Sequence, residues 1–543
     1  MNKNYSIFDI FKIYILNENW TTLLFIIISG ALQSSLTIII PSLLADISTF
    51  VENLNVDKIW IGSILIILTI IFIRISVFLS SYKVVYLHNK VCYSLLRAVI
   101  KEFYNISLDR VEKYNSAYLC KRFNDDIESI ITYLIQVCSS FFVNLTILIL
   151  SLYFVSKINV YPGFILLIGS FLAYKIYGFL EKELVINYTS SKERSNRYFS
   201  DINRILDNYI PIKTNESLSF SMNLLDSSFN ELLSSFLRKT VSVWKLNEIC
   251  EFIKYISLLV TIGIYFLFKK DGSISFSVNE FVATLGYIWL FFSSLQSLVS
   301  YGKDLANAKS SLNRIKEFLF KNDSNLITNE NQSLLRIDSI ELKGISFSYS
   351  DSDIIKNLDY KFTKGNVYCI CSANGTGKST LIELILGLRI PQEGKILLNN
   401  KDIKKYNENT LFNLISYQSQ TYSFPYQNLE DNIFWGRDDI SSSQAYEILK
   451  RFNIDINSFN EKDNVENLSG GQKQKILLVH ALLKPSFLLI LDEPTSALDE
   501  KSVDQLLKLI DSIKEDKIII IISHDYRIQQ FSDYKVISLI NEI

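Results

Sequence analysis

Six long apolar runs constrain what this chain of 543 residues can become more than any other feature. They fall at about 18–45, 57–81, 128–156, 159–180, 246–268 and 277–301, and each is long enough to cross the hydrocarbon of a bilayer. A backbone surrounded by lipid must satisfy its own hydrogen bonds, so runs of this length are read as spanning helices. The first contains WTTLLFIIISGALQSSLTIIIPSLL and the second IWIGSILIILTIIFIRISVFL. Ahead of them, the spacing of Ile7, Phe8, Phe11 and Ile15 suits an amphipathic helix at the membrane surface. Residues 1–20 lack the apolar core and cleavage site of a signal peptide.

Loop charge gives an expected orientation. The stretch 81–127 carries Lys83, Lys90, Arg97, Lys101, Arg110, Lys113, Lys121 and Arg122, and the stretch between the fourth and fifth runs is similarly basic. The other connections are short and hold only Lys58, Lys157, Lys269 and Lys270. By the bias of Lys and Arg toward the inner side, the long loops and both termini are expected in the cytoplasm. Those loops keep a helical periodicity, so the spanning helices are expected to continue beyond the bilayer.

Polar residues inside the runs are costly and often functional. Arg74, Gln136, Glu251 and Gln296 are candidates to line a cargo cavity. The plainer alternative is that Arg74 snorkels toward the interface and that Glu251 pairs with Lys254 along one helical turn. The aromatic run IWLFF (288–292) is expected to face lipid.

Several function classes are excluded by composition. The formal net charge is −1, with no basic excess to suggest nucleic-acid binding. Three His and six Cys without a CxxC pair exclude a disulfide scaffold or a structural zinc site. Cys369 and Cys371 are two apart, on one face of an expected strand, and are read as buried thiols.

An Asn/Ser-rich stretch, KNDSNLITNENQS (321–333), lies within an expected linker over 321–335. Beyond it, over 336–543, short β-branched runs alternate with helical patterns and glycine turns, as in an α/β domain. There the strand VYCIC runs into Ser372, Ala373, Asn374, Gly375, Thr376, Gly377, Lys378, Ser379 and Thr380 and then into a helix. That is the order of a phosphate-binding loop, although Ser372 stands where the first glycine is usual. Backbone amides of Gly375 to Ser379 would wrap a β-phosphate, Lys378 would reach the β- and γ-phosphates, and the Ser379 hydroxyl would bind Mg²⁺. Further on, FLLILDEPTSALD (487–499) is a buried strand ending in Asp492, placed to hold Mg²⁺ through water. Glu493 follows as a candidate general base for the attacking water. Leu468, Ser469, Gly470, Gly471 and Gln472 open another helix, where two glycines allow close approach of a phosphate.

Together these motifs resemble an ABC transporter ATPase domain fused to a six-span membrane domain, as in an exporter-type half-transporter. The resemblance implies a multi-domain membrane protein of the cytoplasmic membrane: a six-helix all-α transmembrane domain over 1–320, then a P-loop α/β ATPase domain. It also implies that Tyr349 stacks on adenine, that Gln420 senses Mg²⁺ and the membrane domain, and that His524 contacts the γ-phosphate. The segment 112–130 is similar to the one following the first coupling helix, and 204–213 matches the second. In the family, LSGGQ of one subunit closes over ATP held by another, so the implied unit is a homodimer, or a heterodimer with a second half-transporter. The implied activity is ATP-driven export of a peptide or of a hydrophobic or amphipathic small molecule. Lipid flipping, import and a non-pumping regulatory subunit are the alternatives. The chain departs from the family in three places. EKDNVEN precedes LSGGQ, with Asp463 in place of the usual Glu of a Gly-Glu-x-Gly loop. The stretch from Gln420 to Leu468 is short, and the sequence given ends at Ile543, soon after the His524 strand.

Overall fold

The protein is described from a computed structural model that covers residues 6–271, 277–320, 334–349, 352–371, 375–420, 424–435, 437, 441–454, 468–529 and 534–537. The expected linker at 321–333, Ser372, Ala373, Asn374 and the Asp463 segment lie outside the described residues. The chain divides into two compact units. One comprises residues 1–106 with 110–322, the other 107–109 with 323–543.

The first unit is built on six helices long and apolar enough to cross a membrane: α1 Ile7–Glu52, α2 Val56–Phe103, α3 Ser116–Ile158, α4 Val160–Asp207, α5 Leu218–Leu267 and α6 Val278–Phe320. At 1.5 Å per residue the 48 residues of α2 extend about 72 Å, far beyond the roughly 30 Å of hydrocarbon. Their apolar stretches carry exposed side chains such as Ile64, Leu68, Ile71 and Phe72, the surface lipid would cover. Along the chain, short helices at Leu108–Val111 and Tyr209–Thr214 lie between α2 and α3 and between α4 and α5.

One buried acidic residue of this unit is paired across helices. Asp126 of α3 is fully buried between Arg314 of α6 (3.2 Å) and Lys192 of α4 (3.5 Å). The Arg122 guanidinium donates to the Arg314 carbonyl at 2.8 Å. A buried charge needs such partners, so these contacts bind three helices to one geometry. Around them packs a core that includes Leu95, Val99, Phe123, Ile130 and Phe318.

Among the described residues, the second unit contains two sheets. Strands β1 Ser339–Tyr349, β2 Ser352–Thr363, β4 Glu393–Leu398 and β5 Lys401–Asp402 form an antiparallel sheet in the order β2-β1-β4-β5. Strands β3 Val367–Ile370, β6 Ile415–Gln418, β7 Leu488–Asp492, β8 Ile518–Ile522 and β9 Lys535–Ile537 form a parallel sheet in the order β6-β7-β8-β3-β9. Every residue of β3, β7 and β8 is buried, which explains their unbroken apolar sequence. Side chains alternate between two cores. Tyr368, Ile370, Leu488, Ile490, Ile518 and Ile520 face one, whereas Val367, Cys369, Leu489, Leu491, Ile519 and Ile521 face the other. Three helices matter below: α7 Lys378–Ile385, α8 Gly470–Leu483 and α9 Glu500–Ile513.

Candidate functional site

Parallel pairing brings four chain exits to one edge. The carboxyl ends of β6, β7, β8 and β3 are neighbours in the sheet, and each leads into a candidate site residue. Gln420 follows β6, Glu493 follows β7, His524 follows β8, and the glycine loop follows β3. Ligands of open α/β sheets bind at this edge.

A cavity of about 270 Å³ opens there, lined by Gly375, Gly377, Lys378, Ser379, Thr380, Gln420, Asp492 and Glu493, with Ile354 and Ile522 as apolar walls. Gly377 has φ +90°, and a Cβ on it would lie 2.6 Å from the Ile354 side chain, so only glycine fits. Lys378 Nζ lies 2.5 Å from His524 Nε2. An ammonium can only donate, so Nε2 is the acceptor of this pair. Glu493 Oε1 is 3.7 Å from the same nitrogen.

Asp492 is pushed up to about 6, first by burial and then by the neighbouring Glu493 charge, against the pull of Lys378. A carboxylate so placed would be relieved by a cation. Ser379 and Gln420, which line the same cavity, offer the hard oxygen donors that suit Mg²⁺.

Glu493 has φ +48°, a left-handed backbone unusual outside glycine. Both of its peptide groups are held. Its N–H donates to the Ile522 carbonyl at 2.9 Å, and its carbonyl accepts from the Gln474 amide at 2.8 Å. Gln474 escaped sequence reading, because nothing but its place two residues after Gln472 hinted at a role.

The LSGGQ segment lies elsewhere. Ser469 caps α8: its hydroxyl accepts from the Gln472 N–H at 3.3 Å, and the Gln472 side chain accepts from the Ser469 N–H at 2.9 Å. Gly470 faces open space, whereas Gly471 packs on the Ala497 carbonyl. All five residues are described, and none lines the cavity.

Tyr349 does not line it either. Its hydroxyl lies 3.3 Å from a Glu383 carboxylate oxygen and 3.5 Å from Thr380 Oγ1, and the Arg389 guanidinium sits 4.8 Å over its ring.

Residues 355–496 match the family described as ABC transporter, and this stretch includes the glycine loop, LSGGQ and Glu493. Six long apolar helices precede it. The chain is an ABC exporter half-transporter. Its ATPase domain is coupled to transport. It is 28% identical over 86% of its length, and 83% of the relative's, to an export ATP-binding/permease protein of Rickettsia typhi. It is 25% identical over 62% of its length, and 59% of the relative's, to the microcin-J25 export ATP-binding/permease protein McjD of Escherichia coli. The fold is that of a bacterial Atm1-family ABC exporter solved with ATP bound, at TM-score 0.83 and 18% identity, covering 97% of this chain and 94% of that one.

The half-transporter's four candidate cargo residues occupy different surroundings. Arg74 is exposed on α2. Gln136 of α3 has a buried Oε1 without a hydrogen-bond partner among the described residues, immediately before a π-helical turn at Val137–Phe141. Glu251 is ion-paired to Lys254, whose ammonium lies 4.4 Å over the Trp289 ring. Gln296 is half-buried on α6. No hydrogen bond or ion pair joins these four to one another among the described residues. The thiols of Cys369 and Cys371 lie 3.2 Å apart, and both cysteines are free.

Proposed function

We propose that this half-transporter works as a homodimer that exports a peptide or another amphipathic molecule, driven by ATP hydrolysis. The observation that carries this reading is the convergence of Lys378, Ser379, Gln420, Asp492 and Glu493 on one cavity at the sheet edge. In the proposed site the Gly375–Ser379 amides and Lys378 hold the β- and γ-phosphates. Ser372, Ala373, Asn374, Thr376 and Thr380 complete the loop, and Tyr349 is the candidate for the adenine. Ser379, Gln420 and Asp492 would hold Mg²⁺, which would supply positive charge to offset that of the phosphates. Glu493 takes a proton from the attacking water, and His524 steadies the γ-phosphate.

The LSGGQ residues do not line the cavity of their own chain, which supports a second subunit, another copy or a second half-transporter. Their exposed N-terminal end of α8 offers free amides and the Ser469 hydroxyl to the nucleotide of a partner subunit. ATP that binds the closed dimer better than the open one drives the membrane helices from inward- to outward-facing, and hydrolysis resets them. We place the ATPase domain (336–543), the two long basic loops and both termini on the cytoplasmic side, with 1–320 as the transmembrane domain and 321–335 as the linker. Peptide cargo is favoured by the likeness to McjD, whose name records export of a microcin.

The test is transport by the purified chain in sealed lipid vesicles, alongside ATPase stimulation by amphipathic peptides, hydrophobic drugs and lipids. Hydrolysis-dependent movement of a peptide supports the reading. Stimulation and movement of lipid alone would replace export with flipping. Hydrolysis without movement of any cargo would contradict a self-sufficient pump.

A further inference from the structure

The helix that carries LSGGQ at its tip is tied to the turn that carries Glu493, and one buried side chain makes most of the bonds. Gln474 is five residues beyond Ser469, on the first turns of α8, and is 1% exposed. Its amide nitrogen donates to the Glu493 carbonyl at 2.8 Å and to Ser496 Oγ at 3.1 Å. Its amide oxygen accepts the Ala497 N–H at 2.7 Å. Every one of these bonds goes to the 493–497 turn. Two neighbours reinforce the joint. A Cβ on Gly471 would lie 2.8 Å from the Ala497 carbonyl, and Lys475 pairs with Asp499 at 2.9 Å.

Glu493 needs such support. Its left-handed backbone, φ +48°, is disfavoured for a side chain with a Cβ and persists only where the surroundings hold it. The N–H side is anchored to β8 through Ile522. The carbonyl side is anchored to α8 through Gln474. Rotation about the Glu493 backbone is what would swing its carboxylate away from the cavity, and Gln474 opposes that rotation.

We infer that Gln474 is a positioning residue for the base: it holds the Glu493 backbone in the conformation that aims the carboxylate into the cavity. It thereby makes that aim depend on where α8 stands. A partner's nucleotide drawn to the tip of α8 acts, through Gln474, on the base of the chain that owns the helix. This rests on the reading of Glu493 as base and of LSGGQ as a contact to the partner's ATP.

The experiment uses the full chain in lipid and compares Gln474→Met, Gln474→Glu, Glu493→Gln and the double variant Gln474→Met/Glu493→Gln. Methionine keeps the volume without the bonds. Glutamate keeps only the acceptor for Ala497. The expected result is a kcat at least about tenfold lower in both Gln474 variants, with KM for ATP within about twofold of native. In the Glu493→Gln background, Gln474→Met should lower the residual single-turnover rate no further, since it acts only through the side chain already removed. A merely structural role would add its loss in either background. If Gln474→Met fails to fold, as judged by thermal unfolding and ATP binding, Gln474→Glu is read by the same criteria. Near-native kcat in the Gln474 variants beside an inactive Glu493→Gln overturns this inference alone, as does an undiminished further loss in the double variant. Native hydrolysis by Glu493→Gln overturns the base assignment and this inference with it.

Discussion

His524 Nε2 accepts a hydrogen bond from Lys378 Nζ at 2.5 Å, although the two residues are 146 positions apart. Register explains the meeting. β8 and β3 pair in parallel, Ile522 opposite Ile370, so the turn after one strand faces the loop after the other. Both side chains then stand where a terminal phosphate would arrive, an ammonium beside an imidazole. Removing each should have a different effect. Lys378→Ala should weaken ATP binding itself, by about tenfold or more, because a charge-assisted contact to phosphate is lost. His524→Ala should bind ATP nearly as the native chain does and lower kcat by about 100-fold, the usual cost of losing one polar group that meets developing charge once Lys378 has turned to the phosphates. Equilibrium nucleotide binding and steady-state hydrolysis separate the two.

The adjacent glycines of LSGGQ have separate duties. A Cβ on Gly470 would meet nothing, whereas one on Gly471 would strike the Ala497 carbonyl. Gly470→Ala should therefore unfold at the native temperature yet turn over ATP about tenfold more slowly, by hindering phosphate approach. Gly471→Ala should lose stability as well, by about 1–3 kcal/mol, because a packed turn must shift. Thermal unfolding and ATPase rates on the two variants check this.

Much of the ATPase site was legible in sequence, for a physical reason. Phosphate and water chemistry need glycines, a lysine and carboxylates at strand ends, and those residues stand out against apolar strands such as LLILD (488–492) and IIIII (518–522). The neighbour order of the strands was not legible, because local sequence does not record which strand lies beside which. Gln474 was hidden for a similar reason: a buried glutamine on a helix looks like any other until its three partners are seen. Tyr349 shows the opposite case, where an aromatic in the expected place has Arg389 over its ring. Among the spans, the plain pairing of Glu251 with Lys254 proved correct, while Trp289 under Lys254 had no signal in the spacing.

That pair yields a stability prediction. Lys254 is buried within α5, and its charge is answered by Glu251 and the Trp289 ring. Breaking the pair strands a buried charge, which costs about 3–5 kcal/mol, whereas replacing both partners with apolar groups is often neutral. Glu251→Ala should lower the unfolding temperature in detergent, and Glu251→Ala/Lys254→Met should recover most of it. Equal losses in both would assign these residues a role other than pairing.

His480 predicts a pH dependence. It is stacked on Trp435 with ring centroids 4.7 Å apart, and Nδ1 lies 2.9 Å from the Ile433 carbonyl oxygen. Burial, aided by Lys484 and Arg437, holds its pKa below the ordinary histidine value, against the opposing Ile433 bond. The unfolded chain takes up that proton near pH 6.5 and the folded chain only below it, so stability is complete above about 6.5 and declines as the pH falls through that value. The unfolding temperature should drop by a few degrees between pH 7.5 and 5.5, and by less in His480→Phe, which keeps the stacking.

The central claim is that Glu493, held at the end of β7, is the base of an ATPase this chain assembles from its own copies. The most direct measurement is ATP hydrolysis by the purified chain in lipid beside Glu493→Gln, with nucleotide binding measured on both. The account predicts turnover in the native chain and, in the variant, retained binding with hydrolysis lowered by at least about 100-fold. Near-native hydrolysis by Glu493→Gln, or a native rate no higher than the variant's, would contradict it.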